Sequence, residues 1–264
     1  MVGESIMKID ILTLFPEMFD GVLSSSIIGR AKDAGLVNFE VTDIRDYSDN
    51  KHRKADDYPF GGGAGLLMMV QPIKSALDTL GFSNYRTGSE ISDAEGKRPR
   101  FIYMSPRGRV LDKELAEDLA SEDNLVLLCG HYEGIDQRAL DLYNFEEVSI
   151  GDYVLTGGEI PAMVLLDTTC RLITGVLGSD DSHNEESVYS GLLEYPQYTR
   201  PASFEGIEVP AVLTSGNHRH IELWNFEQAL ELTAKRRPEM LKAFLDTNFD
   251  SLDKAKKKLA EKYL

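Results

Sequence analysis

Three predicted strands in this chain each lead into a turn that contains glycine. The turns span residues 104–108, 130–134 and 150–158, and each follows an apolar run. In a parallel sheet, ligands bind at the carboxyl ends of the strands, so turns at equivalent ends can converge on one pocket. A single turn of this kind is weak support for a binding site, whereas three such turns in equivalent places indicate that a binding site is present.

The segment 150–161, IGDYVLTGGEIP, is the most informative of these turns. Its glycines permit a sharp turn or the close approach of a ligand. Glu159 and Pro161 suit the first turn of a helix, one by its charge and the other by its fixed φ. The segment matches neither of the common phosphate-binding glycine motifs. For this segment alone, a plain strand-to-helix turn without a ligand is the alternative.

Segments typical of strands alternate with helical segments over the first two thirds of the chain. The predicted strands span residues 8–14, 37–44, 100–104, 124–129 and 147–150. Predicted helices begin at or near residues 16, 27, 72, 112 and 161. This alternation predicts an α/β fold with a mainly parallel sheet flanked by helices.

A polar, acidic segment of small residues, 178–190, is typical of a linker between domains. A second methionine, Met7, follows residues 1–6, which we treat as an N-terminal extension. We therefore expect an α/β domain over residues 7–177 and a smaller domain over residues 191–264. The smaller domain contains a predicted helix over residues 224–232.

A long irregular segment, residues 45–65, interrupts the first domain. It contains the basic run KHRK, an acidic pair and the glycine-rich stretch YPFGGGAG. A loop of this length inside a compact domain is often functional, and basic side chains in it can contact phosphates. A solvated surface excursion is the alternative, and the segment alone does not decide between the two.

The charge balance argues against a nucleic-acid partner. The chain has 28 basic and 44 acidic residues, which gives a net charge of −16. The segment 235–264 is an exception, since its nine basic and five acidic residues give a local charge of +4. Any contact with nucleic acid must therefore use clustered cations on one face.

Cys129 and Cys170 are too few for a structural metal site, and we expect both to be small core residues in a reducing compartment. No apolar run is long enough to cross a bilayer, and the N-terminus lacks a signal-peptide pattern. These features predict a cytoplasmic protein with no membrane partner.

Taken together, the motifs resemble those of the bacterial tRNA (guanine-N1)-methyltransferases. The resemblance runs from Met7 to about Arg237, and its length and order make it specific. The motifs, in chain order, are LFPEMF, GR, HRKADDYPFGGGAGLLMMVQP, SPRG, CGHYEGID, SIGDYVLTGGEIPAM, GVLG, GLLEYPQYTRP and SGNH.

The resemblance implies methyl transfer from S-adenosylmethionine to N1 of the guanine at position 37 of tRNA, next to the anticodon. It also implies a deep trefoil knot in the α/β domain and a homodimer whose active sites lie across the subunit interface. The helical C-terminal domain is expected to help hold the tRNA.

By the same resemblance, the cofactor is bound by residues in the three glycine-bearing turns. Backbone groups and glycines would approach the cofactor closely, and apolar walls would exclude water. The implied cofactor-binding residues are Met104, Ser105, Pro106, Gly130, Glu133, Gly134, Ile150, Gly151, Tyr153, Leu155, Gly157, Gly158 and Pro161.

N1 of guanine carries a proton, so catalysis needs a general base near N1 and a cation or donor near O6. The resemblance implies Arg171 as the cation, although an ion pair with Asp167 four residues earlier is the structural alternative. It places the base at Glu186, where related enzymes have aspartate. Because glutamate is one methylene longer, the neighbouring carboxylates Glu185 and Asp181 stay open as alternatives.

The resemblance also implies a set of tRNA-binding residues and a dependence on magnesium. No motif places the ion, although acidic linker residues are possible ligands. The tail lysines join the implied tRNA-binding residues, which are Lys51, His52, Arg53, Lys54, Asp56, Asn217 and His218.

Three other functions fit parts of the sequence. A nucleotide-binding transferase or hydrolase explains the alternation but needs a basic residue in the turn at 150–161, which has none. A knotted methyltransferase acting on another RNA shares the cofactor turns but not the HRKADDYPFGGG and YTRP segments. A non-catalytic RNA-binding module predicts that S-adenosylmethionine does not bind.

Overall fold

The computed structural model describes residues 6–88, 98–177 and 190–264. The chain divides into two units, Met1–Gly178 and Ser179–Leu264. Within the described residues, no helix is both long enough and apolar enough to cross a membrane.

A five-stranded parallel sheet forms the centre of the first unit, in the order β2-β1-β6-β5-β7. This arrangement confirms the predicted mainly parallel sheet. A short antiparallel ribbon of β3 and β4 lies outside it. The strands are β1 Met7–Thr13, β2 Val37–Asp43, β3 Asp56–Asp57, β4 Leu67–Met68, β5 Arg100–Val110, β6 Asn124–Leu128 and β7 Glu146–Ser149.

Helices cover both faces of the sheet. Alternate residues of β1 point to opposite faces, so Ile9 and Ile11 pack with α1, α2, α4 and α6, while Leu12 packs with α3 and α5. The helices are α1 Asp20–Ser24, α2 Ser26–Asp33, α3 Val70–Thr79, α4 Lys113–Ala120, α5 Gln137–Tyr143 and α6 Glu159–Cys170.

Two features of this unit differ from the sequence prediction. The segment 104–108 does not end its strand, because β5 continues after a shift in register that places both Met104 and Arg109 opposite Val148. Gly108 makes this possible, since a Cβ on it would lie 2.2 Å from the carbonyl carbon of Glu147. Helix α5 was not predicted, because its short sequence follows the turn at 130–134 directly.

The second unit is mainly helical, as predicted. The predicted helix over residues 224–232 is the middle of α7 His218–Arg236, and it is followed by α8 Pro238–Asn248 and α9 Lys254–Ala260. A small ribbon, β8 Ser203–Phe204 and β9 Ile207–Glu208, precedes them. The helices pack around an apolar core that contains Leu192, Leu230, Leu241, Phe244, Leu245 and Ala260.

Both cysteines are buried and free, as expected for core residues. Burial raises the pKa of the Cys129 thiol well above its usual value, and it raises the pKa of Cys170 to about 12. Each thiol therefore stays protonated at neutral pH and is a poor nucleophile or metal ligand.

Asp78 lies near the end of α3 and accepts three side-chain hydrogen bonds, one of which comes from α5. Its carboxylate accepts from Lys74 at 2.6 Å, from Arg86 at 2.5 Å and from the Tyr143 hydroxyl at 2.8 Å. Burial raises the pKa of Asp78, but these three hydrogen bonds outweigh burial and lower the pKa to about 2. The charged carboxylate is therefore the form that accepts these three hydrogen bonds, including the one from Tyr143 of α5.

We predict that Asp78→Asn lowers the free energy of unfolding at pH 7. Because the pKa is lower in the folded state, the stabilisation by wild-type Asp78 is complete above the unfolded value of 3.8 and is lost as the pH falls toward about 2. Urea denaturation at pH 7 and pH 3 should show a smaller difference between variant and wild type at pH 3. Glu114→Gln, on an exposed side chain of α4, is the control. An equal difference at both pH values would contradict the role of the charge.

Candidate functional site

A cavity of about 230 Å³ lies beyond the carboxyl ends of β6 and β7, beside the register shift in β5. Its walls are the segments 103–106, 130–134, 148–151 and 153–158, together with Pro161. All thirteen residues that the sequence analysis implied for the cofactor line this cavity. The structure therefore brings the three glycine-bearing segments together at one place, as predicted, although 104–108 reaches it from within β5 and not from a strand end.

Glycines allow these segments to approach one another closely. The Gly158 amide donates to the Gly130 carbonyl at 2.8 Å, and a Cβ on Gly158 would lie 2.7 Å from the Gly130 nitrogen. On its other side Gly130 faces Tyr103, whose ring would lie 2.7 Å from an added Cβ. Larger residues here would separate the turn that starts α6 from the turn that follows β6.

A buried carboxylate at the start of α6 connects the cavity to β1. The Glu159 side chain is 1 % exposed and accepts a hydrogen bond of 2.6 Å from the Thr13 hydroxyl. Its other oxygen lies 2.7 Å from Nε2 of His131, which lines the cavity. Thr13 in turn accepts from the Phe15 amide at 2.9 Å. A negative charge also suits the N-terminus of a helix.

The His131 ring is held from several sides. Its centroid lies 4.7 Å from that of the Phe15 ring, and its Nε2 would lie 2.3 Å from a Cβ on Gly157. Glycine at position 157 therefore leaves the space that the His131–Glu159 pair occupies. The sequence analysis considered Glu159 only as a first-turn residue and did not single out His131 or Thr13. Their one sequence signal is position, since His131 and Thr13 both lie at strand ends.

The glycine-rich loop of residues 61–65 contacts the cavity wall through Glu133. The Glu133 amide donates to the Leu66 carbonyl at 3.0 Å, and a Cβ on Gly65 would lie 2.4 Å from Cγ of Glu133. Tyr132 adds a second link, because its hydroxyl interacts with Asp56 of β3 and with Arg45. Burial of the Tyr132 hydroxyl raises its pKa, and its hydrogen bond to Asp56 raises the pKa further.

Comparison with known proteins gives the family. A family model described as tRNA (Guanine-1)-methyltransferase TrmD matches residues 7–243. A tRNA (guanine-N(1)-)-methyltransferase of Alkaliphilus oremlandii is 54% identical over 246 residues, which cover 93% of this chain and 96% of the relative. One from Ruminiclostridium cellulolyticum is 52% identical over 92% of this chain and 99% of its own. The chain belongs to the tRNA (guanine-1)-methyltransferase family.

The residues that the family resemblance implies for catalysis lie away from this cavity or outside the described residues. Arg171 is half-buried and follows the last residue of α6. The cavity is at the other end of this twelve-residue helix, which is roughly 18 Å long. Glu186, Glu185 and Asp181 lie outside the described residues. Arg171 therefore does not line the cavity of its own chain.

The basic run before β3 is only partly available to a ligand. Lys51 and His52 are exposed. Arg53 forms ion pairs with Asp43 and Asp46, and Lys54 lies 3.1 Å from Asp57. Asp56 is half-buried in β3. Phosphate contacts by Arg53 or Lys54 would compete with these carboxylates.

Asn217, one of the implied tRNA-binding residues in the second unit, has a structural role in α7. Its side-chain oxygen caps the helix by accepting from the His220 amide at 3.2 Å. His218 is the first residue of α7 and is exposed. Among the described residues, no group of three or more His, Cys, Asp or Glu side chains could hold a metal ion. The implied magnesium site therefore stays without a location.

We predict that Glu159→Ala lowers the free energy of unfolding by about 3 kcal/mol, because Thr13 and His131 lose their common buried partner. Glu159→Gln keeps the shape and one acceptor, so its loss should be smaller. Glu117→Ala removes an exposed carboxylate of α4 and should change stability by about 0.5 kcal/mol or less. Chemical denaturation measures all three, and equal effects of Glu159→Ala and Glu117→Ala would contradict the role of the buried carboxylate.

Proposed function

We propose that the protein transfers a methyl group from S-adenosylmethionine to N1 of the guanine that directly follows the anticodon, position 37 of tRNA. The observation that carries this proposal is the convergence of thirteen family-implied residues on one cavity of a chain that belongs to the tRNA (guanine-1)-methyltransferase family. Its relatives are named tRNA (guanine-N(1)-)-methyltransferases, which states methylation at N1 of a tRNA guanine for those proteins.

The chemistry of the cavity suits this cofactor. Turns rich in glycine expose backbone amides and carbonyls, which can read an adenine edge by hydrogen bonds. Ile150 and Leu155 provide apolar walls, and Tyr153 lies across Gly151 with its hydroxyl 3.2 Å from the Ile150 carbonyl. The Glu133 carboxylate can accept from hydroxyl or ammonium groups. When bound, S-adenosylmethionine supplies a methyl group on a positively charged sulfur, which leaves as a neutral thioether.

The protein must make N1 of the guanine nucleophilic. A carboxylate takes the N1 proton, and the negative charge that remains is shared with O6. We assign the base to Glu186, with Glu185 and Asp181 as alternatives in the same linker. Arg171 stabilises the charge at O6, and its guanidinium is suited to this because it stays protonated.

The position of Arg171 supports a homodimer with shared active sites. The cavity lies at the start of α6, and Arg171 follows the end of the same helix. The length of the helix therefore separates Arg171 from the cavity of its own chain, and the two cannot contact the same guanine. A second copy can supply Arg171 to the cavity of the first. We therefore propose an active site made of one chain's cavity and the other chain's Arg171.

The remaining parts of the proposal concern tRNA binding and topology. We propose that Lys51, His52, Arg53, Lys54 and Asp56 contact tRNA from the α/β domain of residues 7–177. Asn217, His218 and the tail lysines would do so from the helical domain of residues 191–264. Affinity should fall as salt rises. The trefoil knot and the dependence on magnesium stay predictions, and both follow from the family.

We predict that two inactive variants restore activity when they are mixed. Leu155→Arg places a charged, bulky side chain in the cavity wall, and Arg171→Ala removes the cation. If sites are shared, the mixed dimer has one site with both defects and one intact site. Co-expression should then recover roughly a quarter of wild-type methyl transfer to a tRNA transcript.

The readout is transfer of labelled methyl from S-adenosylmethionine, with the N1 product identified after nuclease digestion. Each variant alone is the control, together with Glu186→Gln, which should be inactive while still binding the cofactor. No recovery in the mixture would contradict the shared site. A wild-type protein that binds S-adenosylmethionine but does not methylate guanine at N1 would contradict the proposed function.

A further inference from the structure

The loop between β3 and β4 carries two aromatic residues, Tyr58 and Phe60, that are exposed among the described residues. Residues 58–65, which we call the aromatic loop, read YPFGGGAG. The Tyr58 side chain is 78% exposed and Phe60 is 99% exposed. Single exposed apolar residues are common on protein surfaces, but two aromatic rings separated only by proline are a stronger signal for an interaction site.

The backbone of the aromatic loop favours this display. Gly61, Gly62, Gly63 and Gly65 all have positive φ, a conformation that other residues rarely adopt. A Cβ added at Gly61 or Gly62 would meet nothing within 4 Å, so the tip stands in open space. The glycines therefore hold a chain path on which Phe60 has no core to join.

Backbone hydrogen bonds connect the base of the aromatic loop to the wall of the cavity. Asp56 pairs with Met68, and Asp57 pairs with Leu67, in the β3–β4 ribbon. The Met68 amide donates to the Gly134 carbonyl at 3.0 Å, and the Met68 carbonyl accepts from Asp136 at the same distance. Through these bonds, and through the contact of Gly65 with Glu133, the loop begins and ends beside the cavity wall.

We propose that Phe60, assisted by Tyr58, stacks on an unpaired base of the substrate RNA next to the target guanine. This inference rests on the proposed function. A single-stranded base presents a flat π face, and stacking on an aromatic ring accepts any base. Because the base of the loop contacts the cavity wall, its two aromatic rings belong to the part of the molecule that borders the proposed methylation site.

Because the chain is strongly acidic, a stacking contact would contribute to RNA binding without relying on electrostatic attraction. With a net charge of −16, the protein can gain little from unspecific attraction to phosphates. Arg53 and Lys54 are already paired with carboxylates. Stacking supplies affinity that does not depend on charge. The exposed Lys51 and His52 precede the loop and can contact a phosphate on the same strand.

The test compares four variants of the full chain in steady-state methyl transfer. Phe60→Ala and Phe60→Leu remove the ring, and only the latter keeps a large apolar side chain. Phe60→Trp keeps a stacking surface. Val110→Ala, at an exposed apolar residue of β5, is the matched control. We expect KM for the tRNA transcript to rise roughly tenfold for Phe60→Ala and Phe60→Leu, and to stay near wild type for Phe60→Trp and Val110→Ala.

Two further measurements separate stacking from other effects. KM for S-adenosylmethionine should be unchanged in all four variants, since the ring does not line the cavity. With 2-aminopurine in place of a base beside the target guanine, binding of wild type should quench the fluorescence, and Phe60→Leu should quench it less.

Three outcomes would overturn the inference. They are an unchanged KM for tRNA in Phe60→Ala, a full rescue by Phe60→Leu, and a change of molar mass in light scattering that assigns the loop to contacts between copies of the chain. None of these requires the proposed function to fail, because wild-type methyl transfer is measured in the same assay. If wild type itself transfers no methyl group, both the function and this inference are contradicted.

Discussion

The candidate site depends on one buried carboxylate. Glu159 bonds to Thr13 at the end of β1 and to His131 after β6, and it begins α6. Burying a carboxylate without partners is costly, so both contacts and the helix N-terminus are needed to offset its desolvation. As a result, the ends of β1 and β6 and the start of α6 are held in a fixed relation.

Helix α6 distributes the proposed chemistry between its two ends. Gly158, just before the helix, and Pro161, in its first turn, line the cavity, while Arg171 follows its last residue. A rigid helix keeps these ends apart, which is why a shared site between two copies is the simplest way to use both. Because the helix itself cannot bend, the chain must make its tight turn against Gly130 before the helix begins, and the glycines are concentrated there.

Local sequence patterns predicted the main architecture and the cavity. Apolar runs and helical periodicity identify the strands and helices, and the rule for parallel sheets brings their glycine-bearing turns together. The register shift in β5 could not be predicted, because it depends on the close packing of Gly108 against the backbone of Glu147 on another strand. The Thr13–Glu159 bond joins residues 146 positions apart, and no local pattern encodes that distance. The motif order of the family was needed to single out Glu186 and Arg171.

We propose that the Glu159–His131 pair gives the cavity the shape in which it binds S-adenosylmethionine. The most direct test is calorimetric titration of S-adenosylmethionine into wild type and Gly157→Ala. The new methyl group would lie 2.3 Å from His131 and 2.6 Å from Glu159, so it must displace the pair. Gly21→Ala, at a position with open space, is the control. We expect wild type and the control to bind with equal affinity, and Gly157→Ala to bind more weakly by roughly tenfold or more. Equal affinity for all three proteins would contradict the proposal.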